Sequence, residues 1–423
     1  MNAPNLNPDW AKLPIFDRSG WRRLSFGEVV ENVNETERNP DAAGIERFIG
    51  LEHLEPESLH VRAWGNVADG TTFTRRCRPG QVLFGKRRAY QRKVALAEFD
   101  AVVSGDIYVF TPKNDQLLPE LLPFLCLSER FFQFAVETSS GSLSPRTNWS
   151  HLAKFEFPLP PLEHQRRIAE ILWAVDRVQQ HYNAEMIALG HARRALVEQH
   201  FAETKSKREK QDLGSLADII YGITLGGRRA KFLNHSPYLR VANVLRERLD
   251  LTEIKTIGCT ADEETKFALR HGDILIVEGH AGVHEIGRSA VWHEELAGIL
   301  HQNHLIRVRC SNALLPDYLN LYINSAGGRA YFRRHAKSSS GLNTINSTVV
   351  KKLPVPLTSL GDQTHLTAIV CAIDSTLMLI QRAQTDLADF LRRVMRLFHE
   401  LLGIVRNRTD AFTVFHPREK ELT

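Results

Sequence analysis

The chain has 423 residues, 43% hydrophobic and 24% charged, with a formal net charge of +5; this is ordinary globular composition, and the length predicts two or three domains. No run of about 18 apolar residues occurs, so a spanning helix is not expected, and the opening MNAPNLNPDWAKL lacks the basic start and apolar stretch of a secretory signal. The five cysteines (Cys77, Cys126, Cys259, Cys310, Cys371) are scattered without metal-ligand or redox spacing, which predicts a reducing, cytoplasmic setting.

Residues 1–157 read as a mixed α and β module. GQVLFG and DIYVF are short, β-rich and bounded by glycine or polar residues, so strands are expected there. LPELLPFLCLSERFFQFA reads as helix. Between residues 71 and 97 lie eight Lys or Arg and no Asp or Glu, interleaved with Gln81, Tyr90 and Gln91. A basic patch of that kind attracts phosphate; a plain solvated face is the alternative. Residues 158–208 follow as one long helix, launched by PLPP. Proline fixes φ and lacks an N–H, so it is tolerated before or at the first helical turn and not inside. Residues 209–355 form a second module, with GDILIV and NHLIRV as strands and LPDYLNLYINSAGGRAYFRRHA as helix. A second long helix, 356–408, follows LPVPL, and 409–423 is a tail.

The two halves repeat. At an offset of 198, Gln165 falls on Gln363, Leu162 on Leu360, Ile168 on Leu366, Val175 on Ile373 and Asp176 on Asp374. RPGQVLFGKR (78–87) is similar to RHGDILIVEG (270–279), RFIGLEHL (47–54) parallels YLRVANVL (238–245), and SSGSLSPRTNWSHLAKFEFPLP (139–160) is similar to SSGLNTINSTVVKKLPVP (339–356). Every seventh residue from Ile168 gives Ile168, Val175, Tyr182, Leu189 and Leu196, with Ile171, Val178, Glu185, Ala192 and Gln199 three residues on. The second helix gives Leu366, Ile373, Ile380, Leu387, Val394 and Leu401, with Ile369, Thr376, Ala383, Phe390 and Leu397. Such 3-4 stripes predict a coiled coil, each helix serving as the other's partner. Glu185 and Gln199 interrupt the first stripe. The core-helix alternative is opposed by length, since about 40 residues extend roughly 60 Å. The expected fold is α+β: a pseudo-two-fold chain in which two mixed α/β modules are separated by two long helices forming a coiled coil. Two similar modules suit two similar features on one elongated partner, such as DNA half-sites.

On these residues the chain resembles the specificity subunits of type I restriction-modification systems. PLPPLEHQRRIAEIL is similar to that family's helix opening, VLFGKRRAYQRKVALAEFDAVVSGDIYVF (82–110) to the central strands of its target-recognition domain, and SSGSLSPRTNWSHLAKFEFPLP to that domain's exit. The resemblance implies that the two modules are target-recognition domains, that the two long helices form an antiparallel coiled coil between them, and that the chain is a sequence-specific subunit reading a bipartite double-stranded DNA target, one domain per half-site. It implies two modification subunits docked on the helical spacer, using S-adenosylmethionine to methylate adenine. It also implies a restriction subunit that can join with ATP and Mg, no catalytic site or cofactor in this chain, and no membrane. A type IIB-like or methylation-only system is the alternative within the same class; a stand-alone nuclease or methylase and a coiled-coil interaction protein without DNA role are the rivals outside it.

The enzyme rival lacks support in the sequence. There is no Asn-Pro-Pro-aromatic tetrapeptide for gripping a flipped base, and FGEVV and GITLGGRR lack the Lys and Ser or Thr of a nucleotide-cradling loop. His280, His284, His293, His301 and His304 cluster without a second ligand pair, so polar, groove-facing histidines are expected rather than a metal site. Bases are read by Arg, Lys, Asn and Gln, and phosphates bind mostly Arg, Lys, Ser and Thr. The candidate DNA contacts in the first module are Arg75, Arg76, Lys86, Arg87, Arg88, Tyr90, Arg92 and Lys93, with Ser139, Arg146 and Asn148 of the 139–148 loop. In the second module they are Arg228, Arg229, Lys231, Gln302, Asn303, Lys337, Ser339, Asn343 and Asn346. SSSGLNTIN could instead cap a helix.

Overall fold

The computed structural model describes residues 20–207, 210–339 and 341–401. The expected tail at 409–423 lies outside these, as do the side chains of Val394, Leu397, Leu401, Arg228 and Ser339. By its contacts the chain divides into two compact units, residues 1–181 with 383–423 and residues 182–382. Each unit thus holds one module and part of each long helix.

In the first module the chain runs β1 (Arg22–Ser25), α1 (Phe26–Val29), β2 (Val30–Asn32), β3 (Arg47–Ile49), β4 (Gly65–Asn66), β5 (Arg75–Cys77), β6 (Val82–Gly85), β7 (Val94–Leu96), β8 (Ala101–Val103) and β9 (Ile107–Pro112). Then come α2 (Leu122–Leu127), α3 (Glu129–Glu137), α4 (Trp149–Leu152), β10 (Glu156–Leu159) and the long α5 (Leu162–Lys207). Two four-stranded sheets, ordered β2-β9-β6-β7 and β4-β3-β8-β5, enclose the core, and β1 pairs with β10 as a separate clip. β6 and β8 bury every residue, as expected of strands covered on both faces. Phe26, Phe84, Phe110 and Phe131 pack edge-to-face and stacked at the centre, at centroid distances of 4.7–5.8 Å.

The second module runs β11 (Lys210–Asp212), β12 (Ala217–Tyr221), β13 (His235–Leu239), β14 (Lys255–Gly258), α6 (Ala261–Phe267), β15 (Ile274–Val277), β16 (Gly279–His280), β17 (Ser289–Val291), β18 (Leu300–His301) and β19 (Leu305–Cys310). It ends with α7 (Pro316–Asn324), α8 (Ala326–His335), β20 (Lys337–Ser339), β21 (Leu342–Thr344), α9 (Ser347–Lys351), β22 (Pro354–Pro356) and the long α10 (Leu360–Leu401). The repeat seen in the sequence is a repeat of hydrogen-bond register. The sheet β12-β19-β15-β17 matches β2-β9-β6-β7 in order. The parallel pair Phe48↔Val102 returns as Tyr238↔Leu300. Ser25↔Glu156 in the first clip returns as Asp212↔Pro354 in the second.

The matched glutamines lock each helix start. Gln165 is 1% exposed and Gln363 fully buried. Oε1 of Gln165 accepts from the Leu118 N–H (2.9 Å), and its Nε2 donates to the carbonyls of Gln116 (2.7 Å) and Pro160 (2.8 Å). Oε1 of Gln363 accepts from the Leu315 N–H (2.8 Å), and its Nε2 donates to Ala313 (3.1 Å) and Thr358 (3.0 Å). One amide therefore satisfies three backbone groups that would otherwise be orphaned at the entry to the helix.

The helix seam differs from the expected one by a single residue. The series from Ile168 is inward, but its companions lie four residues on, not three. Leu172, Gln179, Met186, Arg193 and His200 are buried or half-buried, while Ile171, Val178, Ala192 and Gln199 are exposed. In α10 the inward companions are Val370, Leu377, Gln384 and Leu391, with Thr376 and Phe390 exposed. The two spacings differ only in which flank of the same stripe faces inward, and apolar residues on both flanks hid the choice. In the second unit Arg193 of α5 pairs with Asp374 of α10 (2.6 Å), and Val197, Phe201, Leu366 and Val370 enter one core. Rising numbers on α5 meet falling numbers on α10, so these segments run antiparallel. Between Leu360 and Arg393, α10 is long and apolar enough to cross a membrane by length and composition alone. Gln363, Leu366 and Val370 at its start are buried in the second unit and Asp374 pairs with Arg193, while Met378 and Leu379 farther along are 64% and 67% exposed.

Candidate nucleic-acid interface

The structure brings two separately expected patches of the first module together. Beyond β6, residues 86–88 run beside the 139–148 loop. The Arg88 N–H donates to the Pro145 carbonyl (2.7 Å), the Thr147 N–H donates to the Lys86 carbonyl (3.0 Å), and Arg87 bridges Arg146. Gly85, at the end of β6, packs against Leu51 and β7's edge, where a Cβ would stand 2.8 Å from Leu51 Cδ1. Asp106, 19% exposed, accepts from Arg146 Nε (2.9 Å) and lies 3.4 Å from Arg87 Nη1. Arg87 Nε also donates to Ser144 Oγ (2.6 Å). The Lys86 ammonium sits 4.9 Å over the Tyr108 ring; burial, and next Arg75, lower its pKa. Arg75 is itself lowered by burial and donates to the Ile107 carbonyl (3.3 Å). Arg88 and Arg92 hold φ of +53° and +55° on either side of the turn that presents Tyr90, which is 55% exposed.

Other members of the basic run are occupied. Arg76 pairs with Asp100 (2.5 Å) and Glu35 (3.7 Å), and Arg78 with Glu35 (2.6 Å). Arg92 pairs with Glu57 and Glu129 and lies 4.9 Å over Phe132. Lys93 donates to the Leu51 carbonyl (2.8 Å). Ser139 donates back to Ala135 (2.6 Å) at the end of α3, and Asn148 is exposed at the start of α4. The carboxylates that neutralise the run come from elsewhere in the chain, so a local count of charge could not show them.

In the second module Arg229 is held by Glu263 (2.9 Å) and the Gly258 carbonyl (3.0 Å). Lys231 and Lys337 are exposed. Gln302 and Asn303 donate backbone N–H groups to Leu239 and Ile223. Asn343 Nδ2 donates to the Ala281 carbonyl (2.7 Å). Asn346 caps α9, accepting from the Val349 N–H (3.0 Å). The histidines do not all face outward. His301 is fully buried, its Nδ1 3.0 Å from the Phe267 carbonyl, and burial pushes its pKa down to about 4. His304 is exposed and pairs through Nδ1 with Glu278 (2.8 Å). Among the described residues no group of three His, Cys, Asp or Glu is placed to hold a metal ion.

Sequence reasoning missed the groups that join each module to its helix. His60 lies between Asp176 on α5 and Glu98, 2.8 Å from each. The Asp176 bond chiefly, against the cost of burial, raises its pKa to about 9. In the second unit Arg193 joins Asp374 to Glu247. The match of Asp176 with Asp374 in the repeat was the available signal.

Residues 73–187 match the family model described as the type I restriction modification DNA specificity domain. That match spans the later part of the first module and the start of α5, and over this stretch the chain is similar to type I specificity subunits. It is 25% identical over 196 residues to the specificity subunit of the type I restriction enzyme EcoDI from Escherichia coli, covering 43% of this chain and 42% of that protein. To the EcoKI specificity subunit of Escherichia coli it is 22% identical over 309 residues, covering 68% and 66%. The chain thus spans between about two fifths and two thirds of the length of these relatives. The solved S subunit of a type I restriction-modification system from M. genitalium shares the fold, with 12% identity, a TM-score of 0.55, and coverage of 96% of this chain and 99% of that one. A chain from a structure of type I system assembly and conformational transition gives 20% identity, a TM-score of 0.54 and coverage of 91% and 98%.

Proposed function

We propose that the chain is the DNA-recognising subunit of a type I restriction-modification complex and carries no catalysis of its own. Residues 1–157 and 209–355 each address one half of a bipartite duplex target, and residues 158–208 and 356–408 space them. The observation that carries this reading is the duplication: two modules with one hydrogen-bond register, the first overlapping a specificity-domain match. In the first module the DNA-facing residues are Lys86, Arg87, Arg88, Tyr90 and Arg146. Cations clustered beside an exposed aromatic suit a polyanion with stacked bases. Two modification subunits dock on the helices, where Ile171, Val178, Met378 and Leu379 are 40–67% exposed outside the seam. They supply S-adenosylmethionine-dependent adenine methylation, and a restriction subunit adds ATP-driven cleavage. The test is methylation of a randomised duplex library by the purified chain with and without its modification partner. The pair methylates adenine at a split site and the chain alone does not; methyl transfer by the chain alone refutes the assignment.

A further inference from the structure

The two modules share one backbone edge and differ in what it carries. In the first, the Lys86 N–H donates to the Asp106 carbonyl (2.9 Å), the Thr147 N–H donates to the Lys86 carbonyl (3.0 Å), and Arg87 bridges Arg146. In the second, the Glu278 N–H donates to the His304 carbonyl (3.0 Å), the Ile345 N–H donates to the Glu278 carbonyl (2.9 Å), and Gly279 pairs with Thr344. The same bonds therefore superpose Lys86 on Glu278, Arg87 on Gly279, Asp106 on His304 and Arg146 on Thr344. The first set holds three cations and one carboxylate, a net +2; the second holds one carboxylate and no Lys or Arg. The side-chain pairing across the edge is inverted too. A carboxylate at 106 receives arginines, whereas at 304 a histidine meets the carboxylate of Glu278 at 2.8 Å. The edge reaches solvent in both modules: the side chains of Arg87 and Arg146 are 40% and 55% exposed, and those of His304 and Glu278 are 55% and 21% exposed. Two backbone bonds and one bridge of the edge are common to both modules, so the shared register does not demand the difference.

We propose that this edge is the base-reading position of each module, and that the two copies read opposite chemistry. The first offers donors to the acceptor face of guanine. The second offers the Glu278 carboxylate to an exocyclic amino group of cytosine or adenine. In the major groove guanine shows the N7 and O6 acceptors that Arg and Lys engage, while cytosine and adenine show amino donors that a carboxylate accepts. A carboxylate near phosphates adds no general affinity, so its place on the edge serves discrimination. The proposal rests on the DNA-recognition reading above, and the experiment separates the two.

The full chain, assembled with its modification partner, is profiled on a randomised duplex library as wild type, Glu278→Gln, Arg146→Lys and Arg146→Thr. Glu278→Gln keeps the shape of the side chain and relaxes preference at one base position of one half-sequence by roughly ten- to a hundred-fold. The other half-sequence is untouched. Arg146→Thr does the same in the opposite half, and Arg146→Lys, which keeps charge but loses the planar fork, relaxes preference there without changing the salt slope. Unchanged base preference in every variant overturns the proposal. So does a uniform loss of affinity with a shallower salt slope, the mark of phosphate contacts. A wild-type complex with no split-site preference overturns the recognition reading itself and the edge assignment with it.

Discussion

Gln165→Met tests whether one amide organises the start of α5. Methionine conserves most of the volume but offers no hydrogen bonds, leaving the Leu118 N–H and the Gln116 and Pro160 carbonyls without their partner. A buried polar group left unsatisfied costs about 1–3 kcal/mol. The bond to Pro160 is fully buried and the other two half-buried, so the expected loss is about 3–5 kcal/mol in the first unit. Hydrogen exchange read by mass spectrometry, with denaturant titration, locates the effect: peptides spanning residues 114–122 exchange faster, and those around Gln363 do not change. Gln165→Glu sharpens the test. Its oxygen still accepts from Leu118, but it meets two carbonyls unless it carries a proton. Its folded pKa is therefore raised, and its stability is present below the unfolded carboxyl value of about 4.3 and lost as pH rises. A loss below about 1 kcal/mol for the methionine variant, comparable to an ordinary surface substitution, would refute the reasoning.

Leu172→Asp destabilises the first unit by several kcal/mol while Ile171→Asp leaves it nearly unchanged; equal effects in thermal melts would contradict the four-residue seam, since Leu172 is fully buried and Ile171 is 40% exposed. The first unit loses stability as pH climbs from about 6.5 to 9, because His60 is charged in the fold up to about 9 and its contribution is complete only below the unfolded value. Asp176→Asn flattens that dependence; a melting profile that keeps its slope would show that another group sets it. The second unit loses stability in the opposite direction, as pH falls from about 6.5 toward 4. His301 stays neutral in the fold down to about 4, at a cost on the order of 3 kcal/mol once the unfolded chain is protonated, and His301→Asn removes that slope in pH-dependent unfolding.

The parts legible in the sequence are those set by local chemistry. The proline runs before Leu162 and Leu360 marked both long helices because proline's constraint acts within a residue or two. The duplication was visible because apolar positions survive where identities do not. The three-residue companion series was an error of flank: Ile171 and Val178 look as suited to a seam as Leu172, and only packing against the module and the other helix separates them. The basic run misled for a related reason. Arg76 and Arg92 lie in a stretch without acids, yet Asp100, Glu57 and Glu129 reach them through sheet and helix packing. Gln165 and Gln363 form a matched pair in the repeat, but a polar side chain shows no sign in one dimension of being buried among three backbone groups. The inversion from Lys86 to Glu278 stood in the aligned GQVLFGKR and GDILIVEG runs; its meaning required the bonds that fix Asp106 and His304 opposite them.

The strand clips that close the modules have a mechanical consequence. In each, the segment entering the module lies antiparallel to the segment leaving it, Arg22 opposite Leu159 and Lys210 opposite Pro356. Entry and exit therefore meet at one end of a short ladder. Tension applied through the flanking chain falls on the outermost pair first and peels the rungs apart one after another, rather than shearing all of them together. Under load a module opens at its seam with the helix, while the sheets behind the clip, with their ends relieved, keep their shape. In a single-molecule pulling trace this reads as a small, low-force extension that precedes the main rupture.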